Sequence, residues 1–148
     1  MVRRELLGRK LRLIIDDLQL LVQFKDESLA SLKRDEIKLA AVERMLERIV
    51  MRAIDVNEHL LSELWAGDKR STRLTYRDTF LMLADLGVYS EDFAKKIADS
   101  AGLRNILVHD YNDADREIVH KSIKSCLQDY HLYTEHVKTY LDKLSEDE

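Results

Sequence analysis

The 148-residue chain contains no proline, and its apolar residues recur every three or four positions over long distances. Near the start this repeat joins Leu7, Leu11, Ile14, Leu18 and Leu21 into one stripe of a helix. Proline is the residue that most strongly breaks a helix, so nothing of that kind interrupts such stripes. No segment shows the alternation of apolar and polar residues that is typical of a half-buried strand. The sequence therefore predicts an all-α protein.

The stripes and the turn residues between them divide the chain into four main helices and one shorter helix. The first three are predicted at about 3–24, 35–65 and 74–86, the fourth begins at Ser90, and the last begins near Asp113. Gly87 is a typical residue just after a helix end, and Ser90 is a typical N-cap. We expect an up-down helical bundle that forms one domain over residues 1–148. The stripes are wide enough to suit either a monomeric bundle or a homodimer.

Composition and charge narrow the class of protein. Apolar residues make up 45% and charged residues 35%, which is typical of a soluble globular domain. The net charge of −4 argues against nonspecific coating of nucleic acid, which depends on phosphate neutralisation, but it allows a local basic site. Two basic clusters are present, and each is interpreted first as a solvated helix face: Arg3, Arg4, Arg9, Lys10 and Arg12, and then Lys69, Arg70, Arg73 and Arg77.

The sequence also indicates where the protein works. No apolar run approaches the ~20 residues that a membrane span needs, and the N-terminal segment is cut by charges, so we predict neither a membrane helix nor a signal peptide. Cys126 is the only cysteine, so no internal disulfide can form. Both observations agree with a cytoplasmic protein.

The segment "GLRNILVHDYND" at 102–113 concentrates groups that can bind or transfer protons and anions. On a helix Asn105 and His109 share a face, whereas Arg104 and His109 diverge by roughly 140°. A helix that ends near residue 108 would let Arg104, His109 and Tyr111 converge. Arginine offers a fixed fork of donors and histidine titrates near neutral pH, so the group suits a phosphate. A metal site made of His109 and its neighbouring aspartates is a weaker interpretation.

The bare pattern is not specific, because an arginine followed by a histidine five to seven residues later arises by chance. Arg52 and His59 fit it as well. On the pattern alone, a surface arginine and a histidine satisfied at a helix end are the better explanation of the segment. Asp55, Asn57 and His59 are interpreted as a buried polar network or helix-packing positions, with support of the cleft as the second interpretation, and Cys126 as a core residue. The histidines of the last helix, His120, His131 and His136, are interpreted as surface residues.

The wider sequence resembles a known family. "GLRNILVHDY" is similar to the signature of the HEPN superfamily, and most similar to the R-x4-H-x-Y motif of its HepT-like toxins. Arg104, His109 and Tyr111 match that motif, with Asn105 as the polar residue after the arginine. Three stretches resemble the same family in the same order: "RAIDVNEHLL" at 52–61, "YRDTFLMLADLGVYSEDFAKKIADSAGLRNILVHDY" at 76–111 and "YHLYTEHVKTYLDKL" at 130–144.

The resemblance implies a specific function. HepT-like proteins are all-α homodimers whose paired motifs line one cleft, and they act as metal-independent endoribonuclease toxins of type VII toxin–antitoxin systems. An MntA-like minimal nucleotidyltransferase, the antitoxin, transfers AMP to the motif tyrosine. The resemblance therefore implies Arg104, His109 and Asn105 as catalytic residues, Tyr111 as the AMP acceptor, RNA as the substrate and no cofactor.

Other functions stay open at this stage. A dimeric helical module that binds a nucleotide or a partner without cutting RNA has the same fold. The chain is also compatible with being the neutralising member of a pair whose nucleotidyltransferase is harmful. Transfer RNA is the first substrate to consider, with mRNA as the alternative.

Overall fold

The computed structural model describes residues 1–65, 74–108 and 113–147, and within these ranges the chain is helical without strands. The helices are α1 (Arg4–Leu21), α2 (Leu29–Arg34), α3 (Glu36–Leu64), α4 (Tyr76–Asp85), α5 (Glu91–Ala98), α6 (Gly102–Val108) and α7 (Asp113–Asp147). Two single 3-10 turns, Val22–Phe24 and Asp99–Ala101, extend α1 and join α5 to α6. The all-α prediction is confirmed. None of the described helices is long and apolar enough to cross a membrane.

Side-chain caps define where several helices begin. Ser28, Asp35 and Ser90 each accept a hydrogen bond from the backbone N–H three residues later, at the starts of α2, α3 and α5. Thr75 forms a capping box with Asp78, in which each side chain bonds the other residue's backbone N–H. The predicted cap at Ser90 is confirmed. The position of Tyr76, the first residue of α4, is thus fixed by a local cap.

The structure divides the predicted fourth helix into α5 and α6. The 3-10 turn between them is accompanied by Ser100, whose hydroxyl donates to the Ile97 carbonyl at 2.6 Å and lies 2.6 Å from the Tyr130 hydroxyl. Such local bonds compete with regular helix geometry. Gly87, with φ +88°, ends the preceding α4 as predicted. The short helix α2 is also additional, because no helix was predicted between the first two helices.

The core lies between the three long helices. The whole predicted stripe of α1 is buried, and α1 packs against α3 and α7. Helix α3 also contacts α4 and α6, so it lies at the centre of the bundle and supports the segment that carries the candidate site. Tyr130 and Tyr133 of α7 are fully buried and pack edge-on against Phe80 of α4.

A buried polar network ties three helices together. The Asn57 amide of α3 donates to the Thr79 hydroxyl at 3.1 Å and accepts from the Tyr133 hydroxyl at 2.5 Å. Tyr133 also lies 3.1 Å from the Ala53 carbonyl. Asn57, Thr79 and Tyr133 are almost completely buried, so these bonds satisfy groups that would otherwise be costly to bury. The interpretation of Asn57 as a network residue is confirmed.

A charged cluster joins α1 to α3. The Asp17 carboxylate, 3% exposed, accepts hydrogen bonds from the guanidinium groups of both Arg48 and Arg52. The two arginines lie one turn apart on α3, so one carboxylate holds both. Removing it would leave two partly buried positive charges side by side.

We predict that Asp17→Ala lowers the free energy of unfolding by about 2–3 kcal/mol, because two partly buried arginine charges lose their carboxylate partner. Asp16→Ala is the matched control. Asp16 is exposed on the same helix, and its removal should cost about 0.5 kcal/mol or less. Urea denaturation followed by circular dichroism measures both values. Equal effects for the two variants would contradict a structural role for the cluster.

Candidate functional site

Arg104 lies on α6, whose orientation is set by a buried leucine. Leu103 is 3% exposed in the core, and α6 packs against the central helix α3. Successive residues of a helix point about 100° apart. With Leu103 directed inwards, Arg104 therefore lies half-buried at the edge of the packed face, and Asn105 is exposed. Both reach the same side of the bundle, where α6 meets the start of α4.

The Arg104 guanidinium is held over an aromatic ring. Its central carbon lies 5.4 Å from the centre of the Tyr76 ring, which is within the range of a cation–π interaction. Tyr76 is the first residue of α4, directly after the Thr75 cap. The Thr79 hydroxyl donates to the Tyr76 carbonyl at 2.7 Å. The ring that supports Arg104 thus belongs to a firmly anchored helix start.

A groove opens beside this pair. Its volume is about 270 Å³, and it runs between the start of α4 and the turn that joins α5 to α6. Its lining residues are Thr75, Tyr76, Arg77, Ala98, Asp99, Ala101, Gly102 and Asn105. Arg77 and Asp99 form an ion pair at its rim, with 2.7 Å between Nη1 and Oδ1. The groove therefore combines a charged rim with a largely apolar lining and an aromatic wall next to Arg104.

Of the predicted site residues, the structure describes Arg104 and Asn105, which are adjacent on α6. His109 and Tyr111 lie outside the described residues, so their convergence with Arg104 stays a prediction. Tyr76 was missed as a site residue, because it is 28 positions from Arg104 and no local spacing links the two.

The competing pair Arg52 and His59 has a structural role. Arg52 binds Asp17, and the His59 ring accepts a hydrogen bond from the Arg3 backbone N–H at 3.1 Å. That bond fixes the start of α1 on α3. Asp55 on the same helix forms an exposed ion pair with Lys10 at 3.3 Å. The 52–61 segment therefore holds helices together, as the packing interpretation predicted.

The remaining reactive groups also have structural partners. His120 lies 2.7 Å from the Glu27 carbonyl, and His136 packs against the rings of Tyr89 and Phe93. Both are half-buried, which corrects their interpretation as surface residues. Among the described residues, no three of His, Cys, Asp and Glu are grouped to hold a metal.

Cys126 is 2% exposed, as the core interpretation predicted. Burial, with Asp129 nearby as a second cause, raises the pKa of its thiol to about 12. The thiolate is the nucleophilic form of cysteine, so this residue is chemically inert at neutral pH.

The chain is similar to known ribonucleases over most of its length. Residues 14–137 match the family described as Ribonuclease HepT-like. A tRNA nuclease HepT from Aphanizomenon flos-aquae is 37% identical over 146 residues, which cover 98% of this chain and 91% of that protein. An mRNA nuclease HepT from Shewanella oneidensis is 28% identical over 93 residues, or 63% of this chain and 67% of that protein.

A solved structure shares the fold. It is a tri-AMPylated Shewanella oneidensis HEPN toxin in complex with an MNT antitoxin, with a TM-score of 0.74 and 24% identity. The alignment covers 90% of this chain and 96% of that one. The family match spans both the helix that carries Arg104 and the helix that carries Tyr76. The chain therefore belongs to the HepT-like ribonuclease family.

Proposed function

We propose that this protein is a metal-independent endoribonuclease, the toxin of a type VII toxin–antitoxin pair, working in the cytoplasm as one HEPN-like domain over residues 1–148. The observation that carries the proposal is the position of Arg104. Arg104 lies on a family-matched helix, and its guanidinium lies over the anchored Tyr76 ring beside the groove. Among the described residues no carboxylate pairs with it, whereas Asp17 pairs with Arg52. Such a guanidinium suits a phosphate.

The proposed chemistry uses the RNA's own 2′-hydroxyl as nucleophile. His109 takes the proton as general base while the 2′-oxygen attacks the adjacent phosphorus. The phosphorus–5′-oxygen bond breaks, and the leaving 5′-oxygen receives a proton from an acid. The products are a 2′,3′-cyclic phosphate and a free 5′-hydroxyl. Arg104 stabilises the charge that builds on the phosphate oxygens, and Asn105 orients the phosphate or the imidazole.

A homodimer supplies the second proton-transfer group. If two copies join with their motifs facing one cleft, one His109 acts as base and the His109 of the second copy acts as acid. A single copy offers one motif histidine, whereas the reaction needs a base and an acid on opposite sides of the phosphorus. The two-fold symmetric dimer, the commonest oligomer, places the two motifs in equivalent positions.

Transfer RNA is the proposed substrate. The relative named as a tRNA nuclease is 37% identical over nearly the whole chain, whereas the relative named as an mRNA nuclease is 28% identical over a shorter stretch. The greater similarity to the tRNA nuclease supports tRNA over mRNA.

Tyr111 is the proposed acceptor of AMP from an MntA-like antitoxin. Its hydroxyl attacks the α-phosphorus of ATP, pyrophosphate leaves, and a phosphodiester to tyrosine remains. The AMPylated state of the Shewanella oneidensis toxin, which shares the fold, supports this mode of control. A phosphate joined to Tyr111, two residues after His109, would repel RNA and occupy the donors of Arg104.

The decisive experiment is cleavage of bulk tRNA by the purified protein in EDTA. We expect wild-type protein to cleave, and His109→Ala and Arg104→Ala to lose at least about a hundredfold in rate, because a general base and a charge-stabilising donor each contribute that much. His131→Ala is the matched control, since His131 is exposed on α7 and its ring pairs with the exposed Glu135.

Two results would contradict the proposal. Cleavage by all four proteins at the same rate would point to a contaminant or another site. Cleavage that continues when the 2′-hydroxyl at the cut position is replaced by hydrogen would exclude the proposed nucleophile.

We predict that Tyr76→Leu lowers kcat/KM for tRNA by about 3- to 30-fold, whereas Tyr76→Phe keeps most of the activity. The ring face holds the Arg104 guanidinium by about 0.5–2 kcal/mol, and phenylalanine retains that face. A merely structural defect would instead appear as a lower melting temperature shared by both variants. Steady-state kinetics beside thermal denaturation distinguishes the two cases.

We predict that co-expression with a cognate nucleotidyltransferase adds AMP to the wild-type protein, and that Tyr111→Phe abolishes the first addition. Intact-mass spectrometry measures the number of AMP groups. Tyr76→Phe is the control, because the Tyr76 ring contacts the motif arginine in the described structure. Unchanged AMP gains in Tyr111→Phe would show that another residue is the acceptor.

A further inference from the structure

We propose that the groove beside Arg104 is a second RNA subsite, in which Arg77 binds a backbone phosphate next to the one that is cleaved and displaces Asp99 to do so. This inference rests on the proposed ribonuclease function and specifies how the substrate is held. It assigns a role to the one arginine of the 69–77 basic cluster that lies among the described residues.

The groove and the catalytic arginine share a wall. Tyr76 carries the Arg104 guanidinium on its ring and also lines the groove. Asn105, the residue after Arg104, lines it as well. An RNA strand whose scissile phosphate lies at Arg104 must continue past neighbouring surface in both directions. The groove is open surface directly beside Arg104, and it has a basic residue at its rim.

The size and chemistry of the groove suit a phosphate and part of the attached nucleotide. Its volume of about 270 Å³ is just below the range of about 300–1,000 Å³ that is usual for small-molecule sites. Ala98, Ala101 and Gly102 leave room, while Thr75 and Asn105 offer polar side chains. One tyrosine wall can contact a base or ribose, as aromatic side chains do in single-stranded RNA sites.

Arg77 is available to a phosphate because its present partner holds it weakly. The Arg77 and Asp99 side chains are 50% and 76% exposed, and ion pairs this exposed contribute little to stability. A phosphate offers the guanidinium the same bidentate fit as a carboxylate. It also adds the release of counterions that the RNA had condensed. An RNA phosphate can therefore replace Asp99 as the partner of Arg77 with little loss of free energy.

Asp99 then has a function of its own. While its carboxylate stays at the rim it repels the phosphate and competes for Arg77, so it weakens RNA binding. Removing that charge should tighten binding, and only while Arg77 is present. A gain of affinity is informative, because damage to the fold would weaken binding.

The test measures the dissociation constant of fluorescently labelled bulk tRNA by anisotropy, on the full chain carrying His109→Ala so that the RNA is not cut. Adding Arg77→Ala should raise Kd about 3- to 10-fold. It should also reduce the slope of log Kd against log salt by about 0.7–0.9, the loss of one phosphate contact. Adding Asp99→Asn should lower Kd about 2- to 5-fold. With both changes present, the gain from Asp99→Asn should vanish.

Two controls match these variants in charge and exposure. Arg44→Ala removes an arginine that is 64% exposed and paired with Glu47 on α3. Glu91→Gln removes a carboxylate that is 77% exposed and paired with Lys95 on α5. Neither residue lines the groove. We expect both controls to change Kd less than twofold, because neither charge lies in the lining of the groove that is proposed to hold the phosphate.

The proposal is wrong if Arg77→Ala raises Kd no more than Arg44→Ala does, or if Asp99→Asn lowers Kd no more than Glu91→Gln does. It is also wrong if Asp99→Asn still lowers Kd when Arg77 has been replaced. Cleavage of tRNA by the wild-type protein separates these failures from that of the proposed function. If the wild-type protein cleaves tRNA but the groove variants bind it unaltered, the ribonuclease proposal stands and the subsite proposal is wrong. If the protein neither cleaves nor binds tRNA, both proposals are wrong.

Discussion

The buried amide of Asn57 is the interaction on which the candidate site depends. It takes a hydrogen bond from Tyr133 of α7 and gives one to Thr79 of α4, and Thr79 in turn donates to the Tyr76 carbonyl. Tyr76 then carries Arg104 on its ring. A continuous chain of contacts therefore runs from the core to the guanidinium. Such buried networks specify one arrangement, because every member loses a partner if a helix shifts.

Helical periodicity sufficed to predict the fold class and the first three helix positions to within a few residues, since those stripes recur at helical spacing and all five α1 stripe residues are buried. It did not predict the division of the fourth helix. The break at Asp99–Ala101 keeps the apolar stripe nearly in phase, so Ile97 and Ala101 are both buried across it. The local bonds of Ser100 accompany the change, and a serine in a helical pattern does not by itself predict a break.

The site was predictable only in the part that is local in sequence. Arg104 and Asn105 are adjacent, whereas the Tyr76 ring reaches Arg104 through tertiary packing that no spacing rule describes. The pair Arg52 and His59 shows that local spacing alone can also mislead. It satisfies the bare arginine–histidine pattern, yet Asp17 and the Arg3 backbone hold its two members. The environment of an arginine, and not its distance from a histidine, decides whether it can bind a phosphate.

The net charge of −4 has a consequence for any RNA-binding role. Attraction to the whole surface cannot supply the affinity, so discrete arginines have to supply it at short range. In the described structure, the two arginines near the groove have different partners. Arg104 lies on an aromatic ring, which leaves its donors for a ligand, whereas Arg77 is paired with an exposed carboxylate. An aromatic support fixes a guanidinium without competing for its hydrogen bonds, and a carboxylate competes directly. The first arrangement suits the phosphate that reacts, and the second suits a neighbouring phosphate that must bind and then leave.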